Sequence, residues 1–224
     1  MCGIAGFNWN DPNLIKKMNN SLKHRGPDGL GTYTDNLISL GHRRLAIIDL
    51  TERGKQPMEY EHKGRKAIIT YNGEVYNFLE LREKLEKKGY KFKSNTDTEV
   101  ILASYLEWGF DCVKKFNGMW AFCIYDLQKK ILFCSRDRMG QKPFYYYYDG
   151  ERFIFASEIK AIIAAKKINK KENIYKEAVQ LYFALGFIPA PYSIYKNTFK
   201  LEARQNLVFD LNKKKIKKWY YWDL

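Results

Sequence analysis

Cys2 is the residue whose type and place most invite chemistry. Initiator methionine is commonly removed when a small residue follows it, and removal here would leave a cysteine with a free α-amine. An α-amine titrates near about 8 and a free thiol near about 8.5, so the two groups can exchange a proton close to neutral pH. The amine can then act as general base for its own thiol, as an N-terminal amine does for threonine nucleophiles. Such a site needs no histidine. The chain has only three, none beside a cysteine and none spaced as metal ligands. Taken alone, Cys2 also reads as a buried thiol in a first strand.

The run Asn72-Gly73-Glu74 is the second candidate. A thiolate attacking an amide generates a tetrahedral oxyanion, which needs two preorganised donors about 2.7–3.1 Å away. An Asn side-chain amide and a Gly backbone N–H at a sharp strand end can supply them. Asn-Gly is also a very common turn dipeptide, so an ordinary turn is the competing reading. Arg44 and Asp97 complete the set. Free glutamine is an amide that also carries an α-carboxylate and an α-ammonium. A bidentate Arg suits the first and an Asp the second. Singly, these residues read as a surface Arg and a helix N-cap.

The elements that must position these groups follow from local patterns. Residues 2–8 read as a buried strand. Asp11-Pro12 is an N-cap followed by Pro at the first helical position, opening a helix to about Lys23. His24–Gly29 is turn chemistry. Short strands are expected near 31–34 and 37–43, and a further strand, Lys66–Tyr71, that ends on Asn72-Gly73-Glu74. Asn77 is expected to cap a helix to Lys88, with Gly89 as its stop. Thr96 or Asp97 caps the next, in which Val100, Ile101, Tyr105 and Trp108 recur at helical spacing.

Strands Trp120–Tyr125, Ile131–Ser135, Phe144–Tyr148 and Phe153–Ala156 come next, the last two joined at an Asp149-Gly150 hairpin turn. Helices near 158–165 and 173–184 precede two short strands near 206–210 and 216–220. Strands are thus joined by turns more often than by crossover helices, which favours antiparallel sheets covered by helices over a doubly wound parallel sheet.

A chain of 224 residues with 46% hydrophobic content can bury a sizeable core, so whole-chain disorder is excluded. No apolar run approaches the roughly 18–20 residues that span a bilayer. The start, MCGIAGFNWN, lacks the basic region of a secretory signal, so a cytoplasmic protein without membrane partners is expected. The four cysteines show no C-x-x-C spacing, and Cys123 and Cys134 read as reduced core thiols. The net charge of +14 comes mostly from dispersed Lys such as Lys84, Lys87 and Lys88. Its densest run, Lys213–Lys215 with Lys217 and Lys218, reads as a solvated turn between two strands. Nothing matches RNA-recognition, helix-turn-helix or zinc-finger patterns, so no nucleic-acid partner is expected.

Taken together, MCGIAGF, HRGPDG, GHRRLAIIDL, YNGEVYN, SNTDTEVIL, FNGMWAFCIYD, SRDRMGQKPFYY and FASEIKAI closely resemble class II glutamine amidotransferases. The likeness is strongest to the glutaminase domain of asparagine synthetases, runs from residue 1 to about 165, and has weaker later matches in GFIPAPYSIYK and KWYYWDL. It implies an α+β fold, the N-terminal-nucleophile hydrolase four-layer sandwich, with two antiparallel sheets between helical layers. It implies Cys2 as nucleophile, with Asn72 and the Gly73 N–H as oxyanion donors. Glu74 would contact the substrate, Arg44 the α-carboxylate and Asp97 the α-ammonium. Backbone at Ile47 and Ile48 would line the pocket, and Arg25 and Gly26 would flank the thiol.

The resemblance further implies L-glutamine as substrate and an ATP-dependent synthetase domain or subunit as recipient of the ammonia, and it allows a homodimer. No SGGxDS-type pyrophosphate loop occurs in the chain. ATP and Mg are therefore expected only in a synthetase part outside it, with no cofactor in the chain itself. Residues 1–200 are expected to form the amidotransferase domain and 201–224 its end, with the start of a connection. Leu201-Glu202-Ala203-Arg204 stands where the family pattern has a turn with proline and glycine. An amidotransferase with a sugar or peptide acceptor, an inactive amidotransferase-like module and a basic nucleic-acid-binding protein are the competing readings.

Overall fold

A computed structural model describes residues 1–165 and 173–223. The five-residue strand β1 (Gly3–Phe7) is buried along its whole length, which explains its unbroken apolar and glycine composition. Asp11 caps helix α1 (Pro12–Ser21), its carboxylate accepting from the Leu14 N–H at 2.9 Å. The helix ends two residues sooner than expected, because Lys23–Arg25 tighten into a 3-10 turn. Strands β2 (Gly29–Thr34) and β3 (Ser39–Arg44) follow as an antiparallel pair.

Next come β4 (Met58–His62) and β5 (Arg65–Val75). The first carried no sequence expectation. The second corrects one: the strand does not end at Tyr71 but runs on through Asn72, Gly73 and Glu74. These three pair with Ala121, Trp120 and Met119 of β6 (Gly118–Asp126). Tertiary pairing overrides the turn propensity of Asn-Gly. Position 73 is glycine because a Cβ there would lie 2.2 Å from the Met119 carbonyl oxygen.

Helix α2 (Phe78–Glu86) starts after Asn77, whose side chain does not cap it. Instead it donates to the Lys115 carbonyl and accepts from the Asn117 N–H, at 3.0 and 2.9 Å, tying the helix start to the turn before β6. Thr96 caps α3 (Asp97–Trp108), so Asp97 is its first helical residue. The remaining elements are β7 (Ile131–Arg136), β8 (Tyr145–Tyr148), β9 (Phe153–Ala156), α4 (Ile159–Ala165), α5 (Lys176–Leu185), β10 (Thr198–Lys200), β11 (Gln205–Asp210) and β12 (Lys215–Tyr220). Of the lysine run, Lys213 and Lys214 lie in the exposed turn between the last two strands, as expected, while Lys215, Lys217 and Lys218 belong to β12.

These strands make two six-stranded antiparallel sheets, ordered β10-β8-β9-β1-β3-β2 and β12-β11-β7-β6-β5-β4. The inner faces meet through Ile4, Leu40, Ile68, Phe155 and Phe209. Helices α1 and α4 cover the first sheet over Phe7 and Ile154, and α2 and α3 cover the second over Ile69 and Trp120. The four layers are therefore helix, sheet, sheet, helix, the α+β sandwich expected from the sequence. Residues past 200 belong to the same core: Leu207 and Phe209 are buried, and β11 pairs with β7.

In the Leu201–Arg204 turn, Arg204 takes φ +57, the left-handed conformation that glycine adopts without cost. Cys123 and Cys134 oppose each other across β6 and β7 as free, fully buried thiols. Among the described residues, no helix is long and apolar enough to cross a membrane.

Candidate active site

Cys2 precedes β1 at the end of the first sheet, and its thiol is part-buried. The Leu45 N–H donates to Sγ at 3.4 Å, and the thiol donates to the Leu45 carbonyl at 3.6 Å. Arg25 holds the backbone behind it, Nε donating to the Cys2 carbonyl at 2.9 Å. Arg25 is itself paired with Glu158 at 3.0 Å. Burial alone would raise the Glu158 carboxyl, but hydrogen bonds from Arg25, His24 and Lys160 hold it down at about 2. Burial pushes the Cys2 thiol up, opposed by the Leu45 hydrogen bond, the terminal ammonium and Arg44. A thiol so placed stays protonated at neutral pH unless a base takes its proton. Met1 is 55% exposed, so the bond before Cys2 is reachable.

A narrow cleft of about 60 Å³ opens over this thiol. Cys2, Arg44, Ile47, Ile48, Gly73 and Asp97, all singled out in the sequence, line it. Arg44 ends β3 and donates from Nη1 to the Thr51 carbonyl at 2.8 Å and from Nη2 to the Asp49 carbonyl. A guanidinium has five N–H donors, so others remain for a ligand. Ile47 is 65% exposed on the loop that roofs the cleft. Asp97 projects from the start of α3, where the helix dipole favours a carboxylate. Its Oδ2 accepts from the Tyr71 hydroxyl at 2.7 Å and the Val75 N–H at 2.9 Å. Burial still pushes it up to about 6 against those bonds, with Glu74 adding to the rise.

The ladder geometry decides what Gly73 offers. Trp120, opposite Gly73, turns its N–H and carbonyl away to Asp137, at 3.2 and 2.9 Å. Gly73 and Trp120 are therefore a non-hydrogen-bonded pair, and the Gly73 N–H lies on the other edge of β5. On that edge the register of β4 stops at Met58 opposite Ile69. The Tyr71 N–H is taken by Gln56 Oε1 at 2.7 Å and the Val75 N–H by Asp97. Between them, the Gly73 N–H is left facing the cleft. Asn72 projects from the opposite face of the strand, toward the other sheet. It is buried, and its Nδ2 has no hydrogen-bond partner among the described residues. A buried amide without a partner is costly, and a site that binds a developing negative charge is one reason to keep it.

Asn72, Glu74, Arg25 and Gly26 stand outside the cleft lining. Gly26 lies hard against the backbone of Arg43, where a Cβ would sit 2.4 Å from the carbonyl carbon. Several residues at the cleft carried no sequence signal. Leu45 meets the thiol through its backbone. Asp49 fastens the roof loop by accepting from Thr51 and Asn95. Gln56, Tyr71 and Thr98 lie along the edge of β5 and the start of α3. No group of three His, Cys, Asp or Glu among the described residues is placed to hold a metal ion.

A glutamine amidotransferase domain matches residues 1–222. This chain belongs to that family. The amidotransferase domain is 59% identical over 244 aligned positions to a putative glutamine-hydrolysing asparagine synthetase of Methanocaldococcus jannaschii, covering all of this chain and 47% of that protein. It is 38% identical to asparagine synthetase 3 of Bacillus subtilis, again over all of this chain and 37% of that protein. The domain thus spans about half the length, or less, of these relatives. Glutamine phosphoribosylpyrophosphate amidotransferase from B. subtilis, complexed with ADP and GMP, superposes with a TM-score of 0.71 at 18% identity. It covers 98% of this chain and 49% of that one, and at that identity it shows the fold, the N-terminal-nucleophile hydrolase sandwich.

Proposed function

We propose that this amidotransferase domain hydrolyses L-glutamine at Cys2 and passes the ammonia to an ATP-dependent synthetase part that amidates aspartate. The observation that carries the first half is the single open N–H of Gly73, flanked by two satisfied neighbours and facing the Cys2 cleft, with the Asn72 amide a buried, unpaired donor beside it. The second half rests on the names and lengths of the relatives.

Once Met1 is removed, the Cys2 α-amine takes the thiol proton, and the thiolate attacks the side-chain amide carbon. Negative charge develops on the amide oxygen between Asn72 Nδ2 and the Gly73 N–H. The protonated amine gives its proton to the leaving nitrogen, the C–N bond breaks and ammonia departs. Water, deprotonated by the same amine, then cleaves the γ-glutamyl thioester to glutamate and the free thiol. Arg44 takes the α-carboxylate and Asp97 the α-ammonium, and Glu74, near the end of β5, contacts the substrate. ATP and Mg act, in this reading, in the synthetase part, and no step above uses them. Unpaired Cys123 and Cys134, facing each other, suit a reducing cytoplasm.

Two measurements test the proposal. The domain, starting at Cys2, is expected to release glutamate and ammonia from L-glutamine in equal amounts; release of neither would overturn it. Glutamine affinity of the inert Cys2→Ala form is expected to be flat at neutral pH and to weaken as pH falls through about 6. Protonation there removes the carboxylate charge that pairs with the α-ammonium, whose own state does not change in that range. An affinity independent of pH across it would remove Asp97 from the site.

A further inference from the structure

Among the described residues, no strand lies beside the cleft edge of β5 from Tyr71 onward, because β4 begins only at Met58, opposite Ile69. The donors on that edge still need placement to a few tenths of an ångström, since a misplacement of about 1 Å can cost about 10²-fold in rate. Side chains do what a neighbouring strand would do. Gln56 lies just before β4 and is only 8% exposed. Its Oε1 accepts from the Tyr71 N–H at 2.7 Å, and its Nε2 donates to Thr98 Oγ1, next to Asp97, at 3.3 Å.

From the other sheet comes His42, 1% exposed, on the strand that pairs with β1 at Ile4, two residues after Cys2. Its Nε2 lies 3.1 Å from the Tyr71 carbonyl oxygen. A carbonyl only accepts, so Nε2 carries the hydrogen, and Nδ1 is bare and without a partner among the described residues. Burial pushes this imidazole down to about 4, which keeps it in that neutral form. Next to it, Thr70 donates to the Gly41 carbonyl at 2.9 Å, a second tie between the same two strands. Tyr71 is thus held at its N–H, its carbonyl and its hydroxyl by three different elements, immediately before the two oxyanion donors.

We propose that His42 and Gln56 are positioning residues that hold the carbonyl and the N–H of Tyr71 from two different parts of the fold and so keep Asn72 and Gly73 at oxyanion distance from Cys2. This rests on the glutamine-hydrolysing reading of the cleft. Neither residue needs to touch the reacting atoms. The clamp links the sheet that carries the nucleophile to the strand that carries the oxyanion donors, and it sets one against the other.

The test uses the full chain beginning at Cys2, with Gln56→Leu, His42→Leu and His42→Gln. Gln places an amide N–H near the position of the histidine Nε2–H, so it is the conservative replacement. Three quantities are read: glutamine kcat and KM, affinity for L-glutamate γ-semialdehyde, and the rate of Cys2 alkylation by iodoacetamide. The aldehyde adds the thiol across its carbonyl, the sulfur bonding to carbon and the proton passing to oxygen. The product mimics the tetrahedral intermediate and uses the oxyanion donors. Alkylation displaces iodide and does not.

Both Leu variants are expected to lose roughly tenfold to hundredfold in kcat with KM changed by less than about threefold. Aldehyde affinity falls in the same proportion, alkylation stays at the wild-type rate, and His42→Gln recovers most of the loss. An unchanged kcat overturns the clamp. So does a loss in which kcat and alkylation fall while KM rises well beyond threefold, which marks a merely structural role. If His42→Leu does not fold, Gln56→Leu and His42→Gln decide the matter. A wild-type chain that neither releases ammonia nor binds the aldehyde overturns the glutaminase reading, and the clamp with it.

Discussion

Cys2→Ala is expected to end ammonia release from L-glutamine while leaving the fold and the glutamine site in place. The expected fall is on the order of 10⁶-fold, the scale of nucleophile deletions in other covalent catalysts. Among the described residues no second thiol can substitute, because Cys112, Cys123 and Cys134 are fully buried away from the cleft. The thiol makes only long contacts with Leu45, so its loss removes little packing. Arg44 and Asp97 are held by backbone and by Tyr71, not by the thiol. Steady-state release of ammonia and calorimetric binding of glutamine check the two halves. Turnover within a few-fold of wild type would assign the chemistry to another group.

Asn72→Ala is the second large effect. It removes one of two oxyanion donors and is expected to slow kcat by about 10²–10³-fold, or about 2.7–4 kcal/mol of transition-state stabilisation. Stability should behave differently. Among the described residues the Asn72 Nδ2 has no hydrogen-bond partner, so the substitution breaks no hydrogen bond there. It relieves a buried, unpaired donor at the expense of a small cavity, so the unfolding free energy should move by no more than about 1 kcal/mol. A large drop in stability with an intact kcat would make Asn72 a structural amide and move the oxyanion hole elsewhere. Kinetics and urea unfolding on the same preparation separate the outcomes.

Much of the site was legible because its residues carry their own chemistry. A cysteine at position 2 next to a reachable methionine, an arginine at a strand end and an aspartate at a helix start can be named without coordinates. The cleft brings these together with Ile47, Ile48 and Gly73. What was not legible depends on neighbours distant in sequence. Asn72-Gly73 reads as a turn by local propensity, but it lies inside a strand because both residues pair with Ala121 and Trp120 of β6. Asn77 has the right type for a helix cap yet spends both side-chain groups on residues 115 and 117. His42 and Gln56 look unremarkable in sequence, since their bonds to Tyr71 span 29 and 15 residues. The strand at Met58–His62 is a short edge strand with alternating burial, started after a proline, and short edge strands carry the weakest pattern.

The central claim is that the Cys2 thiol is a nucleophile in a glutamine site. The most direct measurement is the intact mass of the chain after reaction with 6-diazo-5-oxo-L-norleucine, a glutamine-like electrophile, with the adduct mapped by peptide sequencing. The account predicts a single adduct, on Cys2, in a chain that begins at that residue. A folded chain that begins at Cys2 and remains unmodified, or carries the adduct on another residue, would contradict it.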